Sequence, residues 1–191
     1  AGTMLYLRAW LYLDTADADI SRPYPFFLAY PLEDDPETLG AASEWQVEWK
    51  WDGIRAQLVR RAGRTFLWSR GEEAVADRFP EITDASALLP DGTVLDGEIM
   101  PWADGKALPF AQLQRRIGRK TLGPTILREV PVVLIAYDLL ELGGEDVRAK
   151  PLAWRRAELE SLLARSSYGG RLLLSPIAPA PEWSDVHAAF A

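Results

Sequence analysis

Residues 48–55 read Glu-Trp-Lys-Trp-Asp-Gly-Ile-Arg, which gathers a candidate nucleophile, two carboxylates and an arginine into one short stretch. A lysine amine attacks an electrophile only when neutral, and its ordinary pKa of about 10.4 leaves roughly one side chain in a thousand in that form at pH 7. Nearby cations or a desolvated site disfavour the ammonium and raise that fraction. Lys50 has Arg55 close in sequence and sits between Trp49 and Trp51, an unusual setting for a solvated lysine. Asp52-Gly53 is a turn signal, and Gly53 would let the backbone come close to a ligand. Arg55 then re-enters a strand, either aimed at that ligand or paired with Asp52. If the stretch before the turn is extended, Glu48 and Lys50 share a face, because side chains alternate with period 2.

Three further stretches carry chemistry. Arg70 follows the β-type run Thr65-Phe66-Leu67-Trp68 and precedes Gly71; a guanidinium fork there suits phosphate. Asp96-Gly97-Glu98 follows Thr93-Val94-Leu95, so Asp96 and Glu98 point to one face of a strand unless the motif is a plain hairpin. Val132–Leu140 is a near-continuous apolar run and reads as a buried central strand. Tyr137 within it is a core aromatic or a stacking platform.

In this order, K-x-D-G-x-R at Lys50–Arg55, then Ser69-Arg70-Gly71-Glu72, Asp96-Gly97-Glu98 and Tyr137-Asp138-Leu139-Leu140 are similar to the motif series of the covalent nucleotidyltransferases. From about Pro23 onward the chain resembles the adenylation domain of bacterial-type ATP-dependent DNA ligases. The resemblance implies an α+β, ATP-grasp-like nucleotidyltransferase fold with antiparallel and mixed sheets flanked by helices. It implies ATP as AMP donor, Mg²⁺ (or Mn²⁺) as metal, and a nick in double-stranded DNA as the place of sealing.

By the same resemblance, Lys50 attacks the α-phosphate and Arg55 contacts ribose or phosphate. Arg70 touches the sugar or the 5′-phosphate of the nick. Glu98 binds ribose and helps hold the metal. Tyr137 stacks on the purine, and Asp52, Gly53 and Asp96 support the motifs. Glu48 holds the base-reading position. An ionised carboxylate accepts hydrogen bonds and cannot donate, so Glu48 suits the 6-amino group of adenine and repels the 6-oxo group of guanine. RNA ligases and capping enzymes share this chemistry and remain alternatives, as does a piece that binds nucleotide or nucleic acid without reacting. Two motifs that follow in the family, E-G-x-V-x-K and a Trp-Lys-rich segment, are missing. The domain is therefore expected to be C-terminally incomplete, without an oligonucleotide-binding domain. On this expectation it adenylates itself slowly, with an open edge beside the Tyr137 strand, or an open nucleotide cleft, that invites self-association.

Length and composition set the frame. The 191 residues fit one domain at 23–191 after an extension at 1–22 that could be the tail of an upstream domain. With no cysteine, disulfides and thiolate-held zinc are excluded, and the single histidine, His187, reads as structural or exposed. The apolar start Met4–Leu13 is too short for a membrane span and is broken by Arg8. A cytoplasmic, nucleoid-associated bacterial protein is the expectation. A net charge of −7 is awkward for a DNA partner, but cations crowd the Lys50–Arg70 region. Arg115, Arg116, Arg119 and Lys120 form a second basic cluster, read as DNA contacts or as a solvated helix face.

The elements expected to position these groups are a hairpin over Arg55–Ser69 turning at Ala62-Gly63, and a helix from Pro80 to Leu89. The Asp-Gly-Glu strand comes next, then helices over Phe110–Ile117 and Thr125–Glu129. The apolar strand is followed by a turn at Gly143-Gly144, a helix from Pro151 to Leu163, and a last strand at Leu172–Leu174.

Overall fold

The computed structural model describes residues 20–27, 30–119, 121–165, 168–178 and 182–189. The expected tail of an upstream domain lies almost wholly outside these residues. The β-branched and aromatic runs become β1 (Ile54–Arg61), β2 (Arg64–Ser69), β3 (Thr93–Ala103) and β5 (Val132–Leu142). Short strands β4 (Lys106–Ala107), β6 (Glu145–Asp146) and β7 (Leu172–Leu174) complete a seven-stranded sheet. Its order is β2-β1-β3-β5-β6, with β4 on β3 and β7 on β5. All pairings are antiparallel except β5 with β7. The helices are α1 (Pro80–Ser86), α2 (Phe110–Ile117), α3 (Pro124–Glu129), α4 (Leu152–Ala164) and α5 (Trp183–Ala189). This is the expected α+β arrangement.

Alternation along the strands divides the sheet into two faces. Ala56, Leu58, Leu95, Ile99, Leu134 and Ala136 face the helices and form the main core with Ile82 of α1, Leu113 of α2 and Leu159 and Leu162 of α4. The opposite face carries two smaller apolar patches. Val59, Val94 and Leu140 pack with Tyr24, Phe66 and Trp68. Met100, Val133 and Ile135 pack with Trp51, Trp102 and Leu173. The polar residues singled out from sequence on β1, β3 and β5 lie in the stretches between these patches.

Gly97 lets β3 and β5 come together: a Cβ there would lie 2.6 Å from the Ile135 carbonyl oxygen. Immediately beside it the register slips. Gly97 faces Ala136 and Asp96 faces Asp138, which leaves Tyr137 as the extra residue of a bulge on β5. A bulge bends the strand and re-aims a side chain.

Several boundaries differ from expectation. The strand through Glu48–Lys50 amounts to one bridge, Glu48 opposite Ile177, and the chain is irregular until Ile54. α1 stops at Ser86 because the next N–H groups reach back only three residues, Ala87 to Asp84 and Leu88 to Ala85. On the edge of β5 expected to lie open, β7 pairs with Leu134–Ala136 and β6 with Glu141–Leu142, and neither pairs with Tyr137–Leu140 between them. Among the described residues no helix is long and apolar enough to cross a membrane.

Candidate functional site

The segment carrying Lys50 is held at both ends. Before it, the N–H of Ala178 donates to the carbonyl of Val47 at 2.9 Å. Beside it, the indole of Trp51 donates to Ser175 Oγ at 3.0 Å. After it, the N–H of Gly53 donates to Glu98 Oε1 at 3.1 Å. Lys50 itself is exposed, as is Asp52. Gly53 has a steric reason to be glycine that differs from the one expected. A Cβ there would lie 2.3 Å from the Ile99 carbonyl oxygen and 2.6 Å from Met100 Sδ. The close approach is to β3, and through β3 to Glu98.

On the face opposite the helices, Arg55, Asp96 and Tyr137 form one constellation. Arg55 grips Asp96 with two bonds, Nη2 to Oδ2 at 2.9 Å and Nε to Oδ1 at 3.3 Å. It also donates to the carbonyl of Phe27. Its guanidinium carbon lies 5.9 Å from the Tyr137 ring centre and 5.7 Å from that of Phe26. The Tyr137 hydroxyl donates to Asp96 Oδ1 at 3.3 Å. The Arg–Asp pair weighed in the sequence thus exists, with Asp96 rather than Asp52 as partner. Arg70 is exposed next to this group, its backbone N–H bonded to the Arg55 carbonyl at 3.0 Å.

A cleft of roughly 290 Å³ opens over this constellation. Arg55, Asp96 and Tyr137 line it together with Gln46, Glu48, Asp138, Arg148 and Arg155. Gln46, Asp138, Arg148 and Arg155 were not foreseen. Asp138 and Arg155 form a two-bond pair at 2.8 and 3.0 Å across the seam between β5 and α4. Asp138 stands beside Tyr137 in an apolar run, and that break in the pattern was the available signal.

Burial shapes the acids. Desolvation pushes the Glu98 carboxyl up to about 7, against the pull of the Gly53 N–H and the Arg55 and Lys50 cations, while Asp96 pushes it further up. Asp96 is raised by burial despite Arg55. Glu48 is raised by burial despite Gln46 and Arg156. Burial and Asp96 hold the Tyr137 hydroxyl well above its usual range, so it stays protonated and able to donate. Asp96 is committed to Arg55, whereas the Glu98 carboxyl is desolvated to an extent that Arg55 and Lys50 only partly offset. That donor set fits a divalent ion sharing its remaining ligands with phosphate oxygens.

The second basic cluster divides. Arg115 is exposed and paired with Glu129 at 2.8 Å, and Arg119 is exposed. Lys120 lies outside the described residues. Arg116 is no DNA contact: its side chain is 0 % exposed. It binds Glu81 at 2.5 and 2.6 Å and donates to the carbonyls of Arg78 and Val130. Leu113 and Arg116 lie three apart on the buried side of α2, so the basic run never forms a single face. His187 is exposed, 3.7 Å from Glu37.

Residues 27–179 match the family model described as ATP dependent DNA ligase domain. A probable DNA ligase of Opitutus terrae is 43 % identical over 137 residues, covering 70 % of this chain and 14 % of that protein. One of Koribacter versatilis is 37 % identical over 166 residues, covering 87 % of this chain and 29 % of that protein. The chain therefore spans under a third of the length of these relatives. Among solved structures, a mycobacterial DNA ligase D complexed with ATP and MES superposes with a TM-score of 0.63 at 28 % identity, covering 78 % of this chain and 46 % of that one.

Proposed function

Because the chain belongs to the ATP dependent DNA ligase domain family, we propose that it captures AMP from ATP on Lys50 for the sealing of nicked DNA. The neutral Nζ of Lys50 attacks the α-phosphorus, the bond to the bridging oxygen breaks, and pyrophosphate leaves. The ammonium proton passes to solvent. The 5′-phosphate of a nick then takes AMP from Lys50, and the 3′-hydroxyl displaces AMP to close the strand.

The observation that carries this reading is the bond from the Gly53 N–H to Glu98. It brings the Lys50 turn to the strand that also supplies Asp96 to the cleft. In this reading Glu48 accepts from the adenine 6-amino group and Tyr137, re-aimed by its bulge, stacks on the base. Arg55 contacts ribose or phosphate at the cleft wall while ordering Asp96. Arg70 meets the 5′-phosphate, and Arg115 and Arg119 extend the contact along the duplex. Glu98 holds Mg²⁺ (or Mn²⁺), which when bound neutralises phosphate charge. Preorganised charge and positioning supply most of the rate in such transfers. Any pairing of copies through a sheet edge would use β2, β4, β6 or β7, each of which among the described residues pairs with a single strand.

The test is incubation with α-labelled ATP and Mg²⁺. The protein should carry label, and Lys50→Ala should carry none. Labelling that survives this substitution rejects the assignment. Nicked duplexes with and without RNA strands then separate a DNA ligase from an RNA ligase.

A further inference from the structure

Glu48 is held by two side chains that the proposed chemistry leaves unused. Gln46 Nε2 donates to Glu48 Oε1 at 2.5 Å. Arg156 of α4 approaches the same oxygen, with Nη1 at 3.9 Å. Arg156 is an unusual residue to find here. Its side chain is 8 % exposed, and Nε is taken by Glu160 at 2.6 Å. Nη1 is buried and makes no hydrogen bond among the described residues. A buried guanidinium N–H without an acceptor is costly, and the Glu48 carboxylate is the acidic group facing it. The neutral Gln46 donor and the Arg156 cation thus converge on Oε1. Among the described residues nothing donates to Oε2, in a side chain that lines the cleft.

We infer that Arg156, itself anchored by Glu160, is a positioning residue that together with Gln46 fixes the Glu48 carboxylate with one oxygen turned to the cleft, and so sets the preference for a 6-aminopurine nucleotide. This rests on the reading of Glu48 as the base-reading residue. Three groups face Glu48: Gln46 from its own segment, Arg156 from α4, and Asp138 from β5, which opposes its ionisation. Without Arg156 the desolvation of Glu48 and the push of Asp138 are left unopposed by any cation, so the carboxyl takes up a proton at higher pH. A protonated carboxyl offers one acceptor less.

The experiment compares binding of ATP with binding of purine riboside triphosphate, which lacks the 6-amino group, by calorimetry. The proteins are the parent chain, Glu48→Gln, Arg156→Met and the double variant. The parent should prefer ATP. Arg156→Met should lose most of that preference, a fall of roughly tenfold for one charge-assisted hydrogen bond, while its affinity for the analogue holds. The double variant should lose no more than Glu48→Gln alone. Arg156→Lys keeps the charge but cannot serve Glu160 and Glu48 together, and should retain part of the preference. It also stands in should Arg156→Met fail to fold. In Arg156→Met, which removes the cation, the preference should fade at a higher pH than in the parent, and in Arg156→Lys, which keeps it, the shift should be smaller.

Equal losses for both nucleotides would mean that Arg156 only supports the fold, and would overturn the inference. So would parental preference in Arg156→Lys if that is the one variant that folds. If Glu48→Gln discriminates as the parent does, or the parent binds no ATP, the underlying reading of Glu48 falls instead.

Discussion

Replacing Glu98 by Gln should make the folded protein more stable at pH 8 while removing a group assigned to its chemistry. The carboxyl sits against β1, accepting the Gly53 N–H at 3.1 Å, and burial lifts it from an ordinary 4.5 to about 7. Between those two values the folded chain binds more protons than the unfolded chain, so this group's contribution to stability falls as pH rises through the window. Above about 7 both states are ionised and the penalty is fully present; below 4.5 both are protonated and it is absent. At about 1.4 kcal/mol per pKa unit, the shift caps the penalty at roughly 3 kcal/mol. Solvent still reaches part of the side chain, and screening reduces this to about 1–2 kcal/mol. Gln has the same shape, no charge, and a carbonyl that can still accept from Gly53. Urea unfolding at pH 8, 6 and 4.5 should show Glu98→Gln ahead of the parent by that amount at pH 8, with the gap closing as pH falls. A destabilised variant at pH 8, or a gap independent of pH, would refute the reasoning.

Arg116→Met should cost about 3 kcal/mol in urea unfolding, since it strands the partly buried Glu81 carboxylate and two carbonyls; an unchanged midpoint would restore it as a surface residue. Gly53→Ala forces a methyl to 2.3 Å from the Ile99 carbonyl. It should cost about 1–3 kcal/mol and lower labelling of Lys50 by more than the unfolded fraction explains, measured by label formation beside a melt. Arg119→Ala should weaken nicked-DNA binding and reduce the slope of log affinity against log salt by about 0.9. A salt titration by anisotropy reads this, and an unchanged slope removes Arg119 from the contact surface.

The sequence reading succeeded where function depends on local order. The Ala62-Gly63 turn, the pairing partners of the hairpin, and the strand bearing Asp96 and Glu98 are all local patterns, and α1 to α4 fell within a few residues of expectation, whereas α5 was not named. It could not supply what depends on sheet register. Arg55 meets Asp96, and Tyr137 becomes the odd residue of a bulge, only because β1, β3 and β5 align as they do. Nor does composition distinguish Arg116 from Arg115. One residue of offset on α2 puts the first among carbonyls and the second in solvent. Gly53 was singled out as a neighbour of nucleotide, and its close approach to a strand was not foreseen because that contact lies 46 residues along the chain at Ile99.

The anchoring of the Lys50 segment to Ser175, Ile177 and Ala178 has a temporal consequence. A ribosome adding about 5–20 residues per second places on the order of ten seconds between the lysine and the residues that fasten it. During that interval β1 and β2 can pair locally, but Trp51 has no Ser175 to bond and Glu48 no Ile177 to face. Closing so long a loop slows folding more than it weakens the folded state. The nascent chain thus carries Lys50 unfastened until residues 175–178 have been made, with Trp49 and Trp51 among the apolar groups a chaperone would meet in that interval.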